Sequence, residues 1–435
     1  MMIAKQVVRG LCTNSAPAAR PLAGLRVIDL GNFLAGPIVS MHLGAMGADV
    51  IKVERTTGDD SRTIGPFSNG ESSYFMSVNR GKRSVAIDTK SDAGKDILKA
   101  LASRSDVVIE NFRPGVMDRL GVGYDVLSAL NPGLVYCSVS GFGQLGEHAR
   151  RPAFDSLLQA AGGLISATGP AEEGQTPVRV GCSIVDMCSG LHATMGVLAA
   201  LHSRSVNGVG QRVDTSMLAT TAMLMESPIS RHSFGGDQYL PRPEGLAHPA
   251  VAPFDGFRTK DGTIYIATSN DARAHVAMAA LGLGELCTQP AYATNPARMA
   301  NRDALKELME ERLAAKTTAE WEAELVPAGV PCSAINDIAQ LKHRHPEVFV
   351  TIEHPTAGAS LQAGPPFVFS QSEIDYAARA PTLGEHTEAV LTEELGFDPG
   401  VVQRWKQAGV IYAPDQESRH NESTDSRARV AEPYA

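Results

Sequence analysis

Three positions in the sequence combine residue types and spacings that could do chemistry. The run Gly141–Gly146 has the spacing GxGxxG, and Leu34–Pro37 joins a strand-like run to a helix-like one. Asp186 lies in a helix-like segment beside Gly190 and Ala193, one and two turns further along. The two turns could offer backbone N–H groups to an anion, and the carboxylate could occupy a crowded, partly dry place.

The glycine run follows a strand, as it does in dinucleotide-binding domains, but what comes after it differs. The polar stretch Glu147–Arg151 stands where a dinucleotide site needs the apolar opening of a packed helix. We therefore interpret Gly141–Gly146 as a tight loop at a strand exit rather than as a nicotinamide or flavin site. The small residues of Leu34–Pro37 would let a ligand approach the backbone, although an isolated turn of this kind is unremarkable.

The segment around Asp186, Val180–Arg204, has apolar residues that recur at helical spacing. The stripe consists of Ile184, Met187, Leu191, Met195 and Leu198. Asp186 falls off this stripe, which is also the position of an ordinary exposed aspartate on a helix. Spacing alone therefore leaves the role of Asp186 open.

Strand-like and helix-like runs alternate from residue 24 onward and indicate how these positions are held. The strand-like runs are Leu25–Leu30, Asp49–Glu54, Arg83–Asp88, Asp106–Asn111 and Leu134–Ser140. Helix-like segments such as Ile38–Met46 and Asp92–Ala102 lie between them, the second after Ser91, a good N-cap. This alternation predicts an α/β fold, a doubly wound lobe with a parallel sheet, whose ligand sites lie beyond the carboxyl ends of the strands.

A smaller α+β lobe is predicted downstream. Strand-like runs on both sides of Asp261-Gly262 indicate a β-hairpin, and charged amphipathic helices follow it. The last two dozen residues are polar and nearly free of apolar side chains, which is typical of disorder. The expected division is a large lobe over 21–235 and 350–412, a small lobe over 245–345, and a disordered tail over 413–435.

Composition argues against several classes of function. The chain has 435 residues, a net charge of −9 and no basic run, so we do not expect it to bind nucleic acid. No stretch reaches the roughly 18 apolar residues that a membrane span needs. The six cysteines are scattered and form no metal-ligand pattern with histidine, so we expect free thiols and no metal site.

The N-terminus has the composition of a targeting segment. Asp29 is the first acidic residue of the chain, whereas Lys5, Arg9 and Arg20 precede it. A basic, acid-free and amphipathic start is typical of a mitochondrial transit peptide, although a disordered leader would share these features. We expect residues 1–20 to be a transit peptide and the protein to act in the mitochondrial matrix, with the cytoplasm as the alternative.

Several longer motifs run in order over residues 21 to 412. They are Pro21–Leu30, Leu34–Pro37, Gly47–Arg55, Asn79–Ser84, Asp106–Gly115, Ser140–Gly146, Asp186 with Gly190, and Leu383–Thr387. Together they resemble the family III CoA-transferases (the CaiB–BaiF family), and many motifs in register are far more specific than any single one.

The resemblance implies a fold and a site. It implies a Rossmann-like large lobe and a small lobe in each chain of an interlocked homodimer, with Asp186 as the catalytic nucleophile. Coenzyme A is then a substrate, and no cofactor is bound permanently. The positions that match the CoA pocket of the family are Phe33, Leu34, Ala35, Arg55, Lys90, Asn111, Phe112, Arg113, Arg119, Phe154 and Asp155. The phosphates of CoA favour cationic partners such as Arg55, Lys90 and Arg119.

The activity implied is the transfer of CoA between carboxylic acids. The Asp186 carboxylate attacks the donor thioester, and the released thiolate attacks the resulting anhydride, which leaves an aspartyl-CoA thioester. The acceptor acid then takes CoA through a second anhydride. Asp186 must be ionised to attack, so its pocket cannot be uniformly apolar, and N–H donors are expected near each oxyanion.

Two other branches of the family are alternatives. The 2-methylacyl-CoA racemases use a His just before an Asp as a second acid/base, but here that pair reads Phe154-Asp155, and phenylalanine carries no proton. Formyl-CoA:oxalate CoA-transferases have a run of glycines in the loop that enters the small lobe. The corresponding loop here, Gly245–Pro253, looks more like that of the mitochondrial succinate–hydroxymethylglutarate CoA-transferases.

This likeness favours succinyl-CoA as donor and a dicarboxylic acid, such as glutarate, hydroxymethylglutarate or itaconate, as acceptor. A cation should hold the distal carboxylate of the acceptor, and Arg231 and Arg242 lie near the loop in sequence. Outside enzymes, the alternative is an inactive CoA-binding scaffold, since fold does not fix function. The aspartate at position 186 weighs against that alternative.

Overall fold

The computed structural model describes residues 20–172 and 174–415. Its strands are β1 (Arg26–Asp29), β2 (Asp49–Glu54), β3 (Phe67–Ser68), β4 (Glu71–Ser72), β5 (Lys82–Ile87), β6 (Val107–Glu110), β7 (Val135–Ser140), β8 (Arg212–Ser216), β9 (Phe254–Arg258), β10 (Thr263–Ala267), β11 (Cys332–Ala334), β12 (Phe349–His354), β13 (Gly358–Ala363) and β14 (Ile411–Tyr412).

The helices of the same residues cover the segments between the strands. They are α1 (Ala35–Ala45), α2 (Ser73–Val78), α3 (Asp92–Ser103), α4 (Val116–Arg119), α5 (Tyr124–Leu130), α6 (Asp155–Ala161), α7 (Ile184–Asn207), α8 (Met217–Leu224), α9 (Glu226–Gly235), α10 (Asp271–Ala280), α11 (Asn295–Ala300), α12 (Arg302–Leu313), α13 (Thr318–Leu325), α14 (Ile338–Arg344), α15 (Thr387–Ala389) and α16 (Pro399–Gln407). Shorter 3₁₀ turns are Asp60–Thr63, Ile165–Ala167, Gly236–Tyr239, Gly284–Thr288 and Pro346–Val348, and Val390–Glu394 is a π turn.

Seven strands form the large sheet, in the order β14-β5-β2-β1-β6-β7-β8. Neighbouring strands are parallel except for the edge pair β14 and β5, which is antiparallel. The chain starts at β1 in the middle of the sheet and adds β2 and β5 in turn on one side. It then returns to the other side of β1 and adds β6, β7 and β8 in turn, which is the Rossmann order. The predicted α/β fold with a parallel sheet is therefore confirmed.

The sheet is buried because helices cover both of its faces. Successive residues of β1 point to opposite faces, so Val27 joins the cluster that contains α1 and α7, and Ile28 joins the one that contains α3 and α16. On the α3 side, the predicted apolar positions Ile97, Leu98 and Leu101 are all in the core. The predicted N-cap Ser91 accepts a hydrogen bond from the backbone N–H of Gly94.

Helix α7 is the longest helix of the described residues and crosses α1 at close range. An added Cβ at Gly190 would lie 2.5 Å from Cγ2 of Ile38 and 3.1 Å from the carbonyl oxygen of Ala35. These distances are below ordinary van der Waals contact, so only glycine lets the two helices approach this closely. The crossing fixes the first turns of α7 against the start of α1.

By length and composition, α7 could also cross a membrane. A helix from the core of a soluble protein passes the same test, and α7 packs Val185, Ala193 and Val197 into the core beneath the sheet. We therefore interpret α7 as a core helix that is apolar because one side of it is buried.

The smaller unit consists of Leu164–Val180 and Ser227–Pro346. Strands β9 and β10 pair as an antiparallel hairpin around Asp261-Gly262, and β11 adds to β10 to complete a three-stranded sheet. Helices α10, α12 and α13 pack on this sheet around Ile264, Met278 and Met309. The sheet and helices form an α+β arrangement.

The larger unit takes the chain up to Gly163, Gly181–Glu226, and everything described from Glu347 onward. The sequence assigned the whole of 21–235 to this lobe, whereas the structure groups Leu164–Val180 and residues 227–235 with the smaller unit. Residues 168–172 and 174–178 have irregular loop structure, in which the carbonyl oxygen of Gly169 accepts a hydrogen bond from the N–H of Gly245. Such a loop has no periodicity from which the sequence could assign it.

The predicted transit peptide and tail fall mainly on residues that the structure does not describe. Of the segment 1–20 only Arg20 is described, and of the segment 413–435 only residues 413–415. Both assignments remain predictions.

Replacing Gly190 by alanine should destabilise the protein by about 1–3 kcal/mol, because the new methyl group overlaps Ile38 and the Ala35 carbonyl. Gly196→Ala is the comparison in the same helix. Its Cβ would lie 2.7 Å from one side-chain atom, Cγ1 of the half-buried Val213, and would meet no backbone atom, so the neighbour can give way and the destabilisation should be smaller than at Gly190, while the gain in helix propensity is the same for both variants. Urea midpoints measure both, and equal effects of the two variants would contradict the close crossing at Gly190.

Candidate active site

A cavity of about 240 Å³ lies at the carboxyl ends of β1, β6 and β7 in the larger unit. Its walls come from residues 32–35 after β1, 111–114 after β6, and 139–141 at the end of β7, together with Asp186 and Met217. The strand order reverses between β1 and β6, and this is where doubly wound sheets leave a crevice for ligands.

Two asparagines connect the loops that follow β1 and β6. The backbone N–H of Asn32 donates to Oδ1 of Asn111 at 2.8 Å, and Nδ2 of Asn111 donates to the carbonyl oxygen of Asn32 at 2.9 Å. The side chain of Asn32 in turn donates to Asp60 at 2.6 Å. These bonds fix the two loops relative to each other across the crevice.

The next residue, Phe33, has a left-handed backbone with φ of 61°. This conformation is unfavourable for a residue other than glycine and persists only where its surroundings enforce it. The N–H of Phe33 donates to Asp59 at 3.3 Å, and its ring packs edge-to-face with Phe154 at a centroid distance of 6.3 Å. The turn directs the chain from β1 into α1, whose first residue, Ala35, lines the cavity.

Two buried lysines stabilise this turn. Lys52 Nζ bonds Asp59 at 2.7 Å and the carbonyl oxygen of Gly31 at 2.5 Å, and Lys82 Nζ bonds Asp29 at 2.8 Å. Asp29 also accepts from the N–H of Gly31 at 2.7 Å. Burial alone would raise the pKa of Asp29, but the two ammonium groups outweigh burial and hold it below its usual value.

Asp186 lies in the first turn of α7, and the cap of that helix comes from elsewhere in the chain. Ser183 is the N-cap residue but makes no side-chain capping bond. Instead Oδ1 of the buried Asp155 accepts from the N–H groups of Val185 at 2.7 Å and Asp186 at 3.1 Å, and its Oδ2 accepts from Gln159 at 2.5 Å. A carboxylate at this place satisfies N–H groups that the helix leaves unpaired.

The Asp186 carboxyl is half-buried, and no cation forms an ion pair with it among the residues that the structure describes. Burial, and to a lesser degree the charge of Asp155, raises the pKa of Asp186 to about 7. Burial and the nearby Asp186 also raise the pKa of Tyr74 to about 12. Near neutral pH, Asp186 therefore exists in both protonated and ionised forms, and the ionised form is poorly solvated.

The structure brings most of the predicted site residues together. The lining of the cavity includes Phe33, Leu34, Ala35, Asn111, Phe112, Arg113, Phe154 and Asp186. Arg55 lines a neighbouring cavity of about 290 Å³, which shares Asn32 and Phe112 with the first, and it forms an ion pair with Asp60. Asp155 lies behind Asp186 rather than on the cavity wall.

Lys90 and Arg119 lie outside both cavities. Lys90 is exposed in the turn after β5, and Arg119 is exposed at the end of α4. Both follow parallel strands at the same edge of the sheet as the cavity. Their contact with CoA remains a prediction.

Several lining residues were not predicted from the sequence, among them Ser140, Arg151 and Met217. Ser140 ends β7, Arg151 comes from the loop after the glycine run, and Met217 begins α8. In the sequence, only the run Gly141–Gly146 indicated this part of the cavity wall. The role of Gly141 is steric, because a Cβ on it would lie 2.1 Å from Cβ of Ala153. The glycine thus lets the segment before Asp155 pack against the end of β7, and no helix follows directly, as predicted.

A second cavity, of about 330 Å³, lies within the smaller unit. Four charged side chains at its wall form two ion pairs, Lys306 with Asp255 at 2.7 Å and Arg302 with Glu244 at 3.0 Å. Arg231 and Arg242 line a further cavity of about 730 Å³ in the same unit. Among residues 20–172 and 174–415, no cluster of His, Cys, Asp and Glu could hold a metal ion.

Comparison with known proteins gives the class to which this site belongs. The family model described as CoA-transferase family III matches residues 22–387. The chain is 36% identical to the succinyl-CoA:glutarate CoA-transferase of Mus musculus over 413 residues, which cover 93% of this chain and 94% of the relative. It is also 36% identical to the acetyl-CoA:oxalate CoA-transferase of Acetobacter aceti, covering 88% of this chain and 97% of the relative.

A solved structure agrees. The crystal structure of a CaiB/BaiF family protein from Brucella suis superposes with a TM-score of 0.77 at 36% sequence identity, covering 87% of this chain and 100% of the other. The chain therefore belongs to the family III CoA-transferases. It is an enzyme that uses CoA as a substrate and carries no permanent cofactor.

Because the pKa of Asp186 is raised, the free energy of unfolding should depend on pH. The folded protein binds a proton at this carboxyl up to about pH 7, whereas the unfolded chain releases it near pH 3.8. The stability that this group contributes is therefore full below pH 3.8 and is lost as the pH rises through about 7. Asparagine does not titrate, so Asp186→Asn does not lose this stability as the pH rises. The difference between the urea midpoints of Asp186→Asn and wild type should therefore be more favourable to the variant at pH 8 than at pH 4.

The matched control is Asp96→Asn, on the exposed side of α3. Its difference from wild type should change little between the two pH values. If Asp186→Asn and Asp96→Asn responded alike to pH, the carboxyl of Asp186 would titrate as an ordinary surface group.

Proposed function

We propose that the enzyme transfers CoA from succinyl-CoA to a dicarboxylic acid through a covalent intermediate on Asp186. The observation that carries this proposal is the place of the Asp186 carboxylate: it is half-buried, capped from behind by Asp155, and exposed to the cavity at the sheet crevice. A carboxylate without a cationic partner in a partly dry site is a better nucleophile than a solvated one.

The reaction needs four acyl transfers. An oxygen of Asp186 attacks the thioester carbonyl carbon, the C–S bond breaks, and CoA leaves as the thiolate, giving a mixed anhydride. The thiolate attacks the aspartyl carbon, and the donor acid leaves as a carboxylate. The acceptor carboxylate then attacks the aspartyl-CoA thioester and displaces the thiolate, which finally attacks the acceptor carbonyl and frees Asp186. No net proton is consumed.

Each of these steps develops negative charge on a carbonyl oxygen. Helix α1 begins at the cavity wall with Ala35 and Gly36, whose N–H groups have no acceptor within the helix. The positive end of the helix dipole adds to their effect. These N–H groups are our candidates for the backbone donors that the chemistry requires.

Two cationic side chains in the cavity are suited to bind the second carboxylate of a dicarboxylic acid. Arg113 and Arg151 both line it, and the guanidinium of Arg151 lies 5.0 Å from the ring centroid of Phe142. We assign Arg113 to CoA, as the family resemblance does, and Arg151 to the distal carboxylate of the dicarboxylic acid. Arg231 and Arg242, which lie near the loop Gly245–Pro253 in sequence, are less suitable because they line a different cavity.

The choice of substrates rests on the relatives and on the loop. The mouse relative acts on succinyl-CoA and glutarate, and the loop Gly245–Pro253 lacks the glycine run of formyl-CoA:oxalate enzymes. The relative from Acetobacter aceti acts on oxalate, so oxalate belongs in any test. Phe154 at the cavity wall carries no proton, which weighs against the racemase alternative.

We also propose that the enzyme is a homodimer whose partner covers the free side of α7. Met187, Leu191 and Met195 recur every four residues on that side and are 41%, 45% and 64% exposed. A monomer would leave this apolar stripe in water beside the catalytic aspartate. The interlocked arrangement itself is inferred from the family resemblance.

The proposed location is the mitochondrial matrix. Its support is the basic, acid-free composition of the first 28 residues, which is typical of a transit peptide.

Mass spectrometry of the purified protein should detect CoA transfer from succinyl-CoA to glutarate, hydroxymethylglutarate or itaconate. Asp186→Ala should abolish the new acyl-CoA because the anhydride cannot form. Arg151→Gln should raise at least tenfold the KM for dicarboxylic acids and for succinyl-CoA, whose acyl group also ends in a carboxylate, and should leave the KM for acetate, a monocarboxylic acid, unchanged.

Oxalate in the same panel separates this proposal from an oxalate-specific enzyme. Transfer to oxalate alone, the shortest dicarboxylic acid, would overturn glutarate, hydroxymethylglutarate and itaconate as acceptors but keep the reaction. Transfer to no acid, with wild type and Asp186→Ala indistinguishable, would overturn the reaction and favour an inactive CoA-binding protein.

Light scattering should give twice the mass of the chain for the wild type. Leu191→Glu places a charge in the stripe and should shift the protein to monomers or aggregates. Leu130→Glu, at a 51% exposed leucine on α5, is the control and should remain dimeric. A monomeric wild type would contradict the dimer.

A further inference from the structure

Ser140 is a buried polar residue whose hydroxyl has no partner in the protein. It is the last residue of β7 and only 5% exposed, and its Oγ makes no hydrogen bond. Two other buried serines of the larger unit are paired: Ser40 donates to Asp29 at 2.7 Å, and Ser84 donates to Glu54 at 2.6 Å. Leaving a buried hydroxyl unpaired is unfavourable, so a residue kept in this state needs an explanation.

The explanation lies in what Ser140 adjoins. It lines the same cavity as Asp186, Asn111 and the start of α1. The hydroxyl oxygen is already out of contact with bulk water, so a ligand that fills this cavity is the group that can supply the missing partner. An acyl-CoA presents one strong acceptor close to the nucleophile, the carbonyl oxygen of the thioester.

The backbone around Ser140 is held firmly, so the Cα–Cβ bond that carries its hydroxyl is positioned before any ligand binds. Ser140 pairs with Ser216 in the β7–β8 ladder, and the carbonyl oxygen of Gly141 accepts from the N–H of Leu218 at 2.9 Å. The close packing of Gly141 on Ala153 adds a second constraint. A fixed donor costs little reorganisation when charge develops on its acceptor.

We propose that the Ser140 hydroxyl donates a hydrogen bond to the carbonyl oxygen of the acyl group that Asp186 attacks. As the carboxylate adds to the carbonyl carbon, the C=O π pair moves onto this oxygen, and Ser140 stabilises the charge together with the N–H groups at the start of α1. The pair returns when the C–S bond breaks and the thiolate leaves. Ser140 thus acts as a catalytic residue, and this role rests on the proposed function.

The first test measures the rate at which CoA becomes attached to the protein. Full-length enzyme is mixed with succinyl-CoA, quenched at short times and analysed by intact mass for the aspartyl-CoA adduct. Ser140→Ala should form the adduct about 100-fold more slowly, the loss typical for one oxyanion donor. Its Kd for free CoA should stay within twofold of wild type, because free CoA has no acyl carbonyl.

Ser189→Ala is the matched control. Ser189 is fully buried on α7, one turn from Asp186, and its hydroxyl also lacks a partner, but it does not line the cavity of the candidate active site. This variant should form the adduct at the wild-type rate. A loss of rate equal to that of Ser140→Ala would mean that removing any buried hydroxyl here perturbs the site, and the proposal would be wrong.

A spectroscopic measurement reports the hydrogen bond directly. In an Asp186→Ala background, bound succinyl-CoA labelled with ¹³C at the thioester carbonyl does not react. Its carbonyl stretch should shift to higher frequency when Ser140→Ala is added, because the hydrogen bond that weakens the C=O bond is lost. An unchanged frequency would overturn the role of Ser140.

The two readouts separate the inference from the proposed function. If the wild type formed no adduct but Ser140→Ala still shifted the carbonyl stretch, the hydroxyl would bind the acyl group and the covalent route through Asp186 would fail. If the wild type formed the adduct and Ser140→Ala formed it equally fast, the route would stand and the assignment of Ser140 would fall.

Discussion

The pairing of two buried lysines with two buried aspartates is the constraint on which the site depends. Lys82, Asp29 and Lys52 come from three adjacent strands, and Asp59 comes from the turn that follows β2. Removing any one of them would leave an uncompensated charge in the interior, which typically costs about 3–5 kcal/mol. Because Lys52 and Asp29 also bond the backbone of Gly31, the same network fixes the direction in which the chain leaves β1.

That direction determines the rest of the cavity. The chain passes through the unfavourable backbone of Phe33 and enters α1 within two residues, so the first N–H groups of the helix lie at the cavity wall. The side-chain oxygen and nitrogen of Asn111 both hydrogen-bond the backbone of Asn32. These bonds join the loop after β6 to the turn that the buried lysines hold in place. The site is therefore built from backbone that is held by buried polar groups, not from flexible surface side chains.

Asp155 has two opposing effects on the nucleophile. Its carboxylate caps α7 through the N–H groups of Val185 and Asp186 and so fixes the position of Asp186. The same charge, added to burial, raises the pKa of Asp186 and reduces the ionised fraction at neutral pH. The site thus combines accurate placement with a carboxylate that is more basic, and a stronger nucleophile once ionised, than a solvated aspartate.

The sequence by itself determined five of the seven strands of the large sheet, helices such as α1 and α3 between them, and the Rossmann-like class. Apolar runs such as Val107–Ile109 form buried strands because both faces of a parallel sheet are covered, and the spacing of Ile97, Leu98 and Leu101 matches one face of a helix. Longer motifs resembling the family directed attention to Asp186, which spacing alone had left open.

Only the tertiary structure decided what surrounds Asp186. The cap from Asp155, the unpaired hydroxyl of Ser140 and the guanidinium of Arg151 reach the site from segments 31 to 46 residues away in the sequence. Periodicity describes how a segment contacts the layer next to it, whereas these contacts depend on which loops meet at the end of the sheet. The partner that a buried polar group finds depends on which loops meet there, and the sequence does not show this. The chemistry of the cavity could therefore be inferred only from the tertiary structure.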